Sequence, residues 1–148
     1  MAKPSAPNRA RHHARRFVMQ ALYQWQLGKH SLRQLLEQFL AEPDMAGADG
    51  VYFETLLSEA YAGIQELEAH YSEYLDRPVY QLDPVERAIL LMATTELAQH
   101  PEIPYRVVIN EAVELAKAYA AEGSHGYING VLDKAAQALR PLEFGRRL

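Results

Sequence analysis

The sequence predicts an all-α protein of about six helices, and three observations carry that expectation. Apolar residues recur at three- and four-residue spacing in almost every segment. No segment alternates apolar and polar residues over a useful length, so no strands are expected. Proline, glycine and small polar residues fall between the periodic segments, where helices must start and stop. A break near 77–82 divides one domain, 9–140, into halves of three helices each, about 9–77 and 82–140. No internal repeat or coiled-coil seam is present.

Residues 1–8 (MAKPSAPN) read as a disordered tail, with Asn8 as the N-cap of the first helix. That helix carries Ala14, Val18, Ala21, Leu22 and Trp25 on one face and stops at Gly28. Ser31 and Gln34 form a capping-box pattern ahead of a short second helix, LRQLLEQFLAE, which Pro43 ends. A third helix is expected from about Val51 to Leu75, on the apolar set Phe53, Leu56, Leu57, Ala60, Ile64, Leu67, Tyr71, Tyr74 and Leu75. Asp83-Pro84-Val85-Glu86 places a capping acid, a proline and a further acid where a fourth helix begins. It runs to about Gln99 and buries Ile89, Leu90, Ala93 and Leu97. After HPEIP come a fifth helix, about Tyr105 to Ala121, and a sixth, capped by Ser124 and ending near Leu139. Residues 141–148 read as a C-terminal tail.

With 148 residues and no cysteine, the chain can bury a real core but has no disulfide, thiolate zinc site or cysteine nucleophile. No apolar run approaches the ~18 residues that would span a membrane. The basic N-terminus lacks the apolar core of a signal peptide. The net charge of -4 conceals an asymmetry. Residues 1–16 hold Lys3, Arg9, Arg11, Arg15 and Arg16 and no acid, whereas the remainder has ten basic and nineteen acidic residues, a net -9. A basic arm can meet phosphates, and an acidic body can meet a basic protein. The plain alternative is a solvated tail.

On a helix, Arg11 and Arg15 share one face, and His12 and Arg16 the next. Arginines so spaced can straddle a phosphate backbone, each guanidinium gripping a pair of oxygens. The alternative is an ordinary basic helix end. His12 and His13 are adjacent, so they diverge by about 100° and do not converge on a metal. No metal spacing, glycine-rich phosphate loop or GxSxG motif is present. Glu111 and Glu114 form an i,i+3 carboxylate pair with no acid/base partner in view. Nothing supports catalysis, and no cofactor is expected. Trp25 joins the apolar stripe, while Tyr23 lies off it and is expected to be exposed. Glu86 reads as a capping residue. Tyr127 falls in the first turn of the last helix, where it could pack inward or stack on a splayed base. Asn110, Asn129 and Gly130 are poor helix formers inside strong helical patterns. Asn129 and Gly130 read as core features, with direct binding as the alternative: Gly130 permitting close helix approach, and Asn129 bonding a neighbour in a buried polar contact, with Asn110 a candidate.

Val108-Ile109-Asn110-Glu111-Ala112, Glu114-Leu115-Ala116-Lys117 and Tyr127-Ile128-Asn129-Gly130-Val131-Leu132-Asp133-Lys134 closely resemble the C-terminal part of the bacterial NusB antitermination family. The resemblance extends back through Pro84-Val85-Glu86-Arg87-Ala88-Ile89-Leu90 to Gln20-Ala21-Leu22-Tyr23-Gln24-Trp25, nearly the whole chain. It implies two three-helix subdomains packed across each other. It also implies RNA binding by the arm, here Arg9, Arg11, Arg15 and Arg16, and by the turn at Ser124, His125 and Tyr127. Tyr23 and Glu86 would receive the ribosomal protein NusE. Gly123 stands where relatives often carry an acid, and Gly126 where many carry a basic or polar residue. One phosphate contact is thereby lost and one repulsion removed.

What the resemblance implies is a cytoplasmic transcription antitermination factor. Such a factor binds single-stranded boxA-type leader RNA with NusE and helps RNA polymerase read through terminators, notably in ribosomal RNA operons. Two other readings remain open: a NusB-like domain of an RNA cytosine methyltransferase, and a helical module that binds protein only.

Overall fold

The computed structural model describes residues 6–145. Most of the tail expected at the N-terminus, including Lys3, and the terminal Arg146 and Arg147 lie outside the described residues. Seven α-helices and no strands occur among the described residues: α1 Ala6–Gly28, α2 Leu32–Leu40, α3 Gly50–Ala62, α4 Ile64–Ser72, α5 Pro84–Gln99, α6 Tyr105–Tyr119 and α7 Ser124–Leu139. Short 3₁₀ turns at Pro43–Gly47 and Val79–Gln81 complete the path. No described helix is long and apolar enough to cross a membrane.

Local chemistry sets most boundaries. The Ser31 hydroxyl accepts from the Gln34 N–H while the Gln34 side chain accepts from the Ser31 N–H, so both ends of the capping box are closed. Asp83 accepts from the Val85 N–H ahead of Pro84, starting α5 as expected.

Several boundaries differ from the expectation, among them α2, which ends at Leu40 and not Glu42. The first helix begins at Ala6, so Asn8 lies inside it rather than capping it. The expected third helix is two, α3 and α4, parted at Gly63. The Leu67 side chain packs so close to Gly63 that an added Cβ would meet it at 3.3 Å, and glycine is the weakest helix former of this stretch. α6 ends at Tyr119, short of Ala121. Ser124 is the first residue of α7 instead of its cap. That position falls to Gly123, which turns the chain at φ 87°, a conformation L side chains resist. In the expected C-terminal tail, the Phe144 ring packs 4.2 Å from that of Tyr105.

α5 organises the core. Every residue from Ala88 to Leu97 is buried, the signature of a helix enclosed on all sides. It packs on α1, α3 and α4 in one direction and on α6 and α7 in the other. Phe17, Phe39 and Phe53 tie α1, α2 and α3 together with ring centroids 6.0–6.4 Å apart. α6 and α7 pack side by side.

Candidate functional site

The start of α1 lies along α6, and the two helices run in the same sense. Two adjoining hollows lie in that seam, and a third lies apart from them at the α6–α7 turn. The first, about 770 Å³, has Arg9, Arg11 and His13 on one wall and Pro104, Val107 and Glu114 among those opposite. The second, about 310 Å³, is lined by His13, Arg16, Glu114, Ala118 and Tyr119. The third, about 330 Å³, lies at the α6–α7 turn and includes Lys117, Gly123 and His125. The expected arm and the expected turn therefore line separate hollows.

The arm arginines divide by role. Arg15 is only 3% exposed. Its Nε donates to both oxygens of Glu96, at 2.8 and 3.1 Å, and its Nη1 lies 3.7 Å from Glu111. Burial works against the Arg15 charge, but the Glu96 carboxylate more than offsets it and holds the guanidinium above its usual pKa. Arg15 therefore faces the interior and does not share a phosphate-facing surface with Arg11. Arg11 is half-buried and stacks 4.4 Å over the Tyr52 ring, a cation–π contact. The Tyr52 hydroxyl donates to Glu96, and burial followed by that carboxylate pushes its pKa up. Arg16 rests 4.8 Å over Phe17, and its buried Nε has no hydrogen-bond partner among the described residues. His12 Nδ1 sits 2.5 Å from Glu111. Arg9, at the exposed mouth, lines the first hollow.

The opposite wall is braced from behind. His100 places Nε2 2.6 Å from Glu59 and Nδ1 3.0 Å from Glu102, tying α3 to the loop that carries Pro104. Burial lowers the His100 pKa, but the two carboxylates outweigh it and the net shift is upward. Buried Arg140, from the end of α7, donates to the carbonyls of Glu96, Leu97, His100 and Ile103.

At the turn, Ser124 is largely buried and His125 half-exposed. Tyr127 is engaged rather than open. Its hydroxyl donates to Asp76 Oδ1 at 2.9 Å and accepts from the Asp76 N–H at 3.2 Å, while Arg77 covers its ring at 5.4 Å. Arg77 and then Tyr127 hold the Asp76 carboxyl down at about 2, so it stays ionised. Asn110, Asn129 and Gly130 overturn their expected core role. All three are exposed, and a Cβ on Gly130 would meet nothing within 4 Å. Their helix-disfavouring chemistry has no packing explanation.

A second surface lies near the meeting of α1 and α5, where Gln26 donates to the Pro84 carbonyl at 2.8 Å. Tyr23 is 38% exposed there, as its place off the apolar stripe predicts, and Leu27 one turn on is 63% exposed. Glu86, expected on a partner-receiving surface, is instead buried in the first turn of α5, 8% exposed. Trp25 is packed against the core, edge-on to Tyr61.

The sequence reading missed Glu96, Tyr52, His100 and Arg140. Glu96 left a visible signal: a carboxylate in the middle of LLMATTELA must find a buried partner.

An all-helical bundle with a groove of arginines, histidines and carboxylates between α1 and α6 is the build of a helical binding protein. The family model "NusB family" matches residues 12–137. Transcription antitermination protein NusB of Alcanivorax borkumensis is 48% identical over 147 residues, covering 99% of this chain and 97% of that one. NusB of an Enterobacter species is 47% identical over 132 residues, covering 89% and 95%. T. maritima NusB superposes with a TM-score of 0.81 at 28% identity, over 98% of this chain and 99% of that one. NusB in a crystal structure of NusB and NusE with double-stranded RNA gives 0.71 at 25% identity, over 86% and 96%. The chain belongs to the NusB family.

Proposed function

We propose that this chain is a transcription antitermination factor that acts by binding, holding a single-stranded boxA-type leader RNA together with the ribosomal protein NusE. The observation that carries this reading is the groove between the start of α1 and α6, where Arg9, Arg11 and Arg16 line two adjoining hollows. Guanidiniums at the rim take phosphates. Arg15 contributes by position: its buried bond to Glu96 fixes the helix face that presents the others. Tyr127 likewise anchors the turn to Asp76 and leaves its remaining edge to the RNA. Lys117 and His125, with Glu122, line the separate hollow at the α6–α7 turn.

NusE fits the second surface. Tyr23 and Leu27 offer apolar area of the kind that anchors interfaces. Glu86 is buried at the start of α5 and does not present its carboxylate to that surface, so Tyr23 and Leu27 carry the proposed contact. Acting on nascent transcripts places the protein in the cytoplasm, and read-through by RNA polymerase in ribosomal RNA operons is the consequence of the assembled complex.

The test is fluorescence anisotropy with a labelled boxA-type RNA and a scrambled control, with and without NusE. The reading expects tighter and sequence-selective binding when NusE is present. Equal weak affinity for both RNAs, indifferent to NusE, sinks it and leaves a protein-only module with a basic arm.

A further inference from the structure

The second hollow adds an aromatic ring to the arginines of the arm. Tyr119, the last residue of α6, is 44% exposed and lines that hollow. It makes no ring contact or hydrogen bond among the described residues. An exposed tyrosine alone is ordinary. Here, however, Arg16 lines the same hollow, and its buried Nε has no acceptor among the described residues. A buried N–H without a partner costs about 1–3 kcal/mol, so it calls for a ligand that supplies one. At about 310 Å³ the hollow is at the small end of ligand sites, the scale of a single base rather than a length of strand. It also shares His12, His13 and Glu114 with the large groove, so a strand lying in that groove can reach it.

Resting on the RNA-binding reading, we propose that this hollow is a nucleobase site, in which one unstacked base of a single RNA strand lies on the Tyr119 ring while Arg16 holds the adjoining phosphate. Aromatic stacking accepts any base, because every base has a π-face, and an arginine fork beside it fixes the backbone. Glu114 on the same rim repels phosphate, which seats the backbone on the Arg16 side. Tyr127 is a poorer platform than Tyr119, since Arg77 covers its ring and Asp76 holds its hydroxyl.

The experiment measures affinity for the labelled boxA-type RNA at several salt concentrations, using wild type, Tyr119→Ala, Tyr119→Leu, Tyr119→Phe and Arg16→Ala. Stacking needs the ring and not the hydroxyl. Tyr119→Ala and Tyr119→Leu should weaken binding by about five-fold or more, and Tyr119→Phe should stay within about two-fold of wild type on the same ground. The Tyr119 variants should keep the wild-type salt slope, whereas Arg16→Ala should reduce it by about 0.7. Leucine keeps the apolar bulk, so a loss shared by Ala and Leu with an unchanged melting temperature cannot be assigned to unfolding. Wild-type affinity in Tyr119→Ala, or equal losses in the Phe and Ala variants, overturns the base site and leaves the arm reading standing. A wild-type protein that binds no RNA would overturn both.

Discussion

Replacing Arg15 with methionine isolates the deepest electrostatic feature of the structure. Methionine keeps most of the side-chain length but leaves Glu96 inside the core with only the Tyr52 hydroxyl as partner. The Arg15 and Glu96 side chains are 4% and 0% exposed, and the contact is two-pronged at 2.8 and 3.1 Å. Breaking a buried pair from one side costs about 3–5 kcal/mol, because the surviving charge is uncompensated. Against a typical domain stability of about 5–15 kcal/mol, that is a third or more of the total at the centre of both ranges. Arg33–Glu37 provides the contrast within the same molecule: an i,i+4 pair with side chains 87% and 65% exposed, worth about 0.3–0.5 kcal/mol. Urea unfolding of wild type, Arg15→Met, Glu96→Leu and the double variant gives the coupling directly. The double variant should recover much of the loss, and adding Tyr52→Phe should remove the remaining orphaned hydroxyl. A cost under about 1 kcal/mol for Arg15→Met, the range of an exposed pair, would refute the reasoning and return Arg15 to the surface set.

The other predictions concern the frame around the groove. Gly123→Ala should cost about 1–2 kcal/mol in urea unfolding, because at φ 87° the penalty is purely backbone and no neighbour would clash with the new Cβ. Ser31→Ala should cost about 1 kcal/mol by the same assay, as the Gln34 N–H loses its cap. Arg140→Ala should cost at least about 2 kcal/mol, since it removes charge-assisted bonds to four carbonyls, and it should also weaken RNA binding by loosening the Pro104 wall. The folded-state pKa of His100 is raised, so its contribution is full below the unfolded value of about 6.5 and fades as pH rises through the folded value. Unfolding free energies of wild type and His100→Asn should therefore differ most near pH 5.5–6 and converge at alkaline pH. A gap that widens with pH would contradict the His100–carboxylate latch.

What the sequence disclosed was local. Ser31–Gln34 and Asp83–Pro84 mark helix starts by bonds closed within three residues, so they can be read without any fold. Tyr23, off the apolar stripe, was exposed for the reason the stripe implies. Gly63 escaped notice because the apolar spacing runs on in phase through it, and only the approach of Leu67 shows why glycine stands there. Arg15 and Glu96 are 81 residues apart. Helical spacing put Arg15 beside Arg11, but tertiary packing turned it inward. Asn110, Asn129 and Gly130 mislead in the opposite sense: their low helix propensity was a true anomaly, and the anomaly faces solvent rather than the core. The candidate site shows the same division. The arginines could be listed from the chain, whereas their alignment along α6 and the engagement of Tyr127 by Asp76 depend on contacts that span the fold.

The central claim is that the arm's outward arginines carry RNA through its phosphates. The most direct measurement is the salt dependence of RNA affinity for wild type against the Arg9→Ala, Arg11→Ala, Arg16→Ala triple variant. Each phosphate contact on a single strand contributes about 0.7 to the log–log slope, so three lost contacts should flatten it by about 2 while affinity falls. An unchanged slope and affinity, in a variant that melts like wild type, would contradict the account.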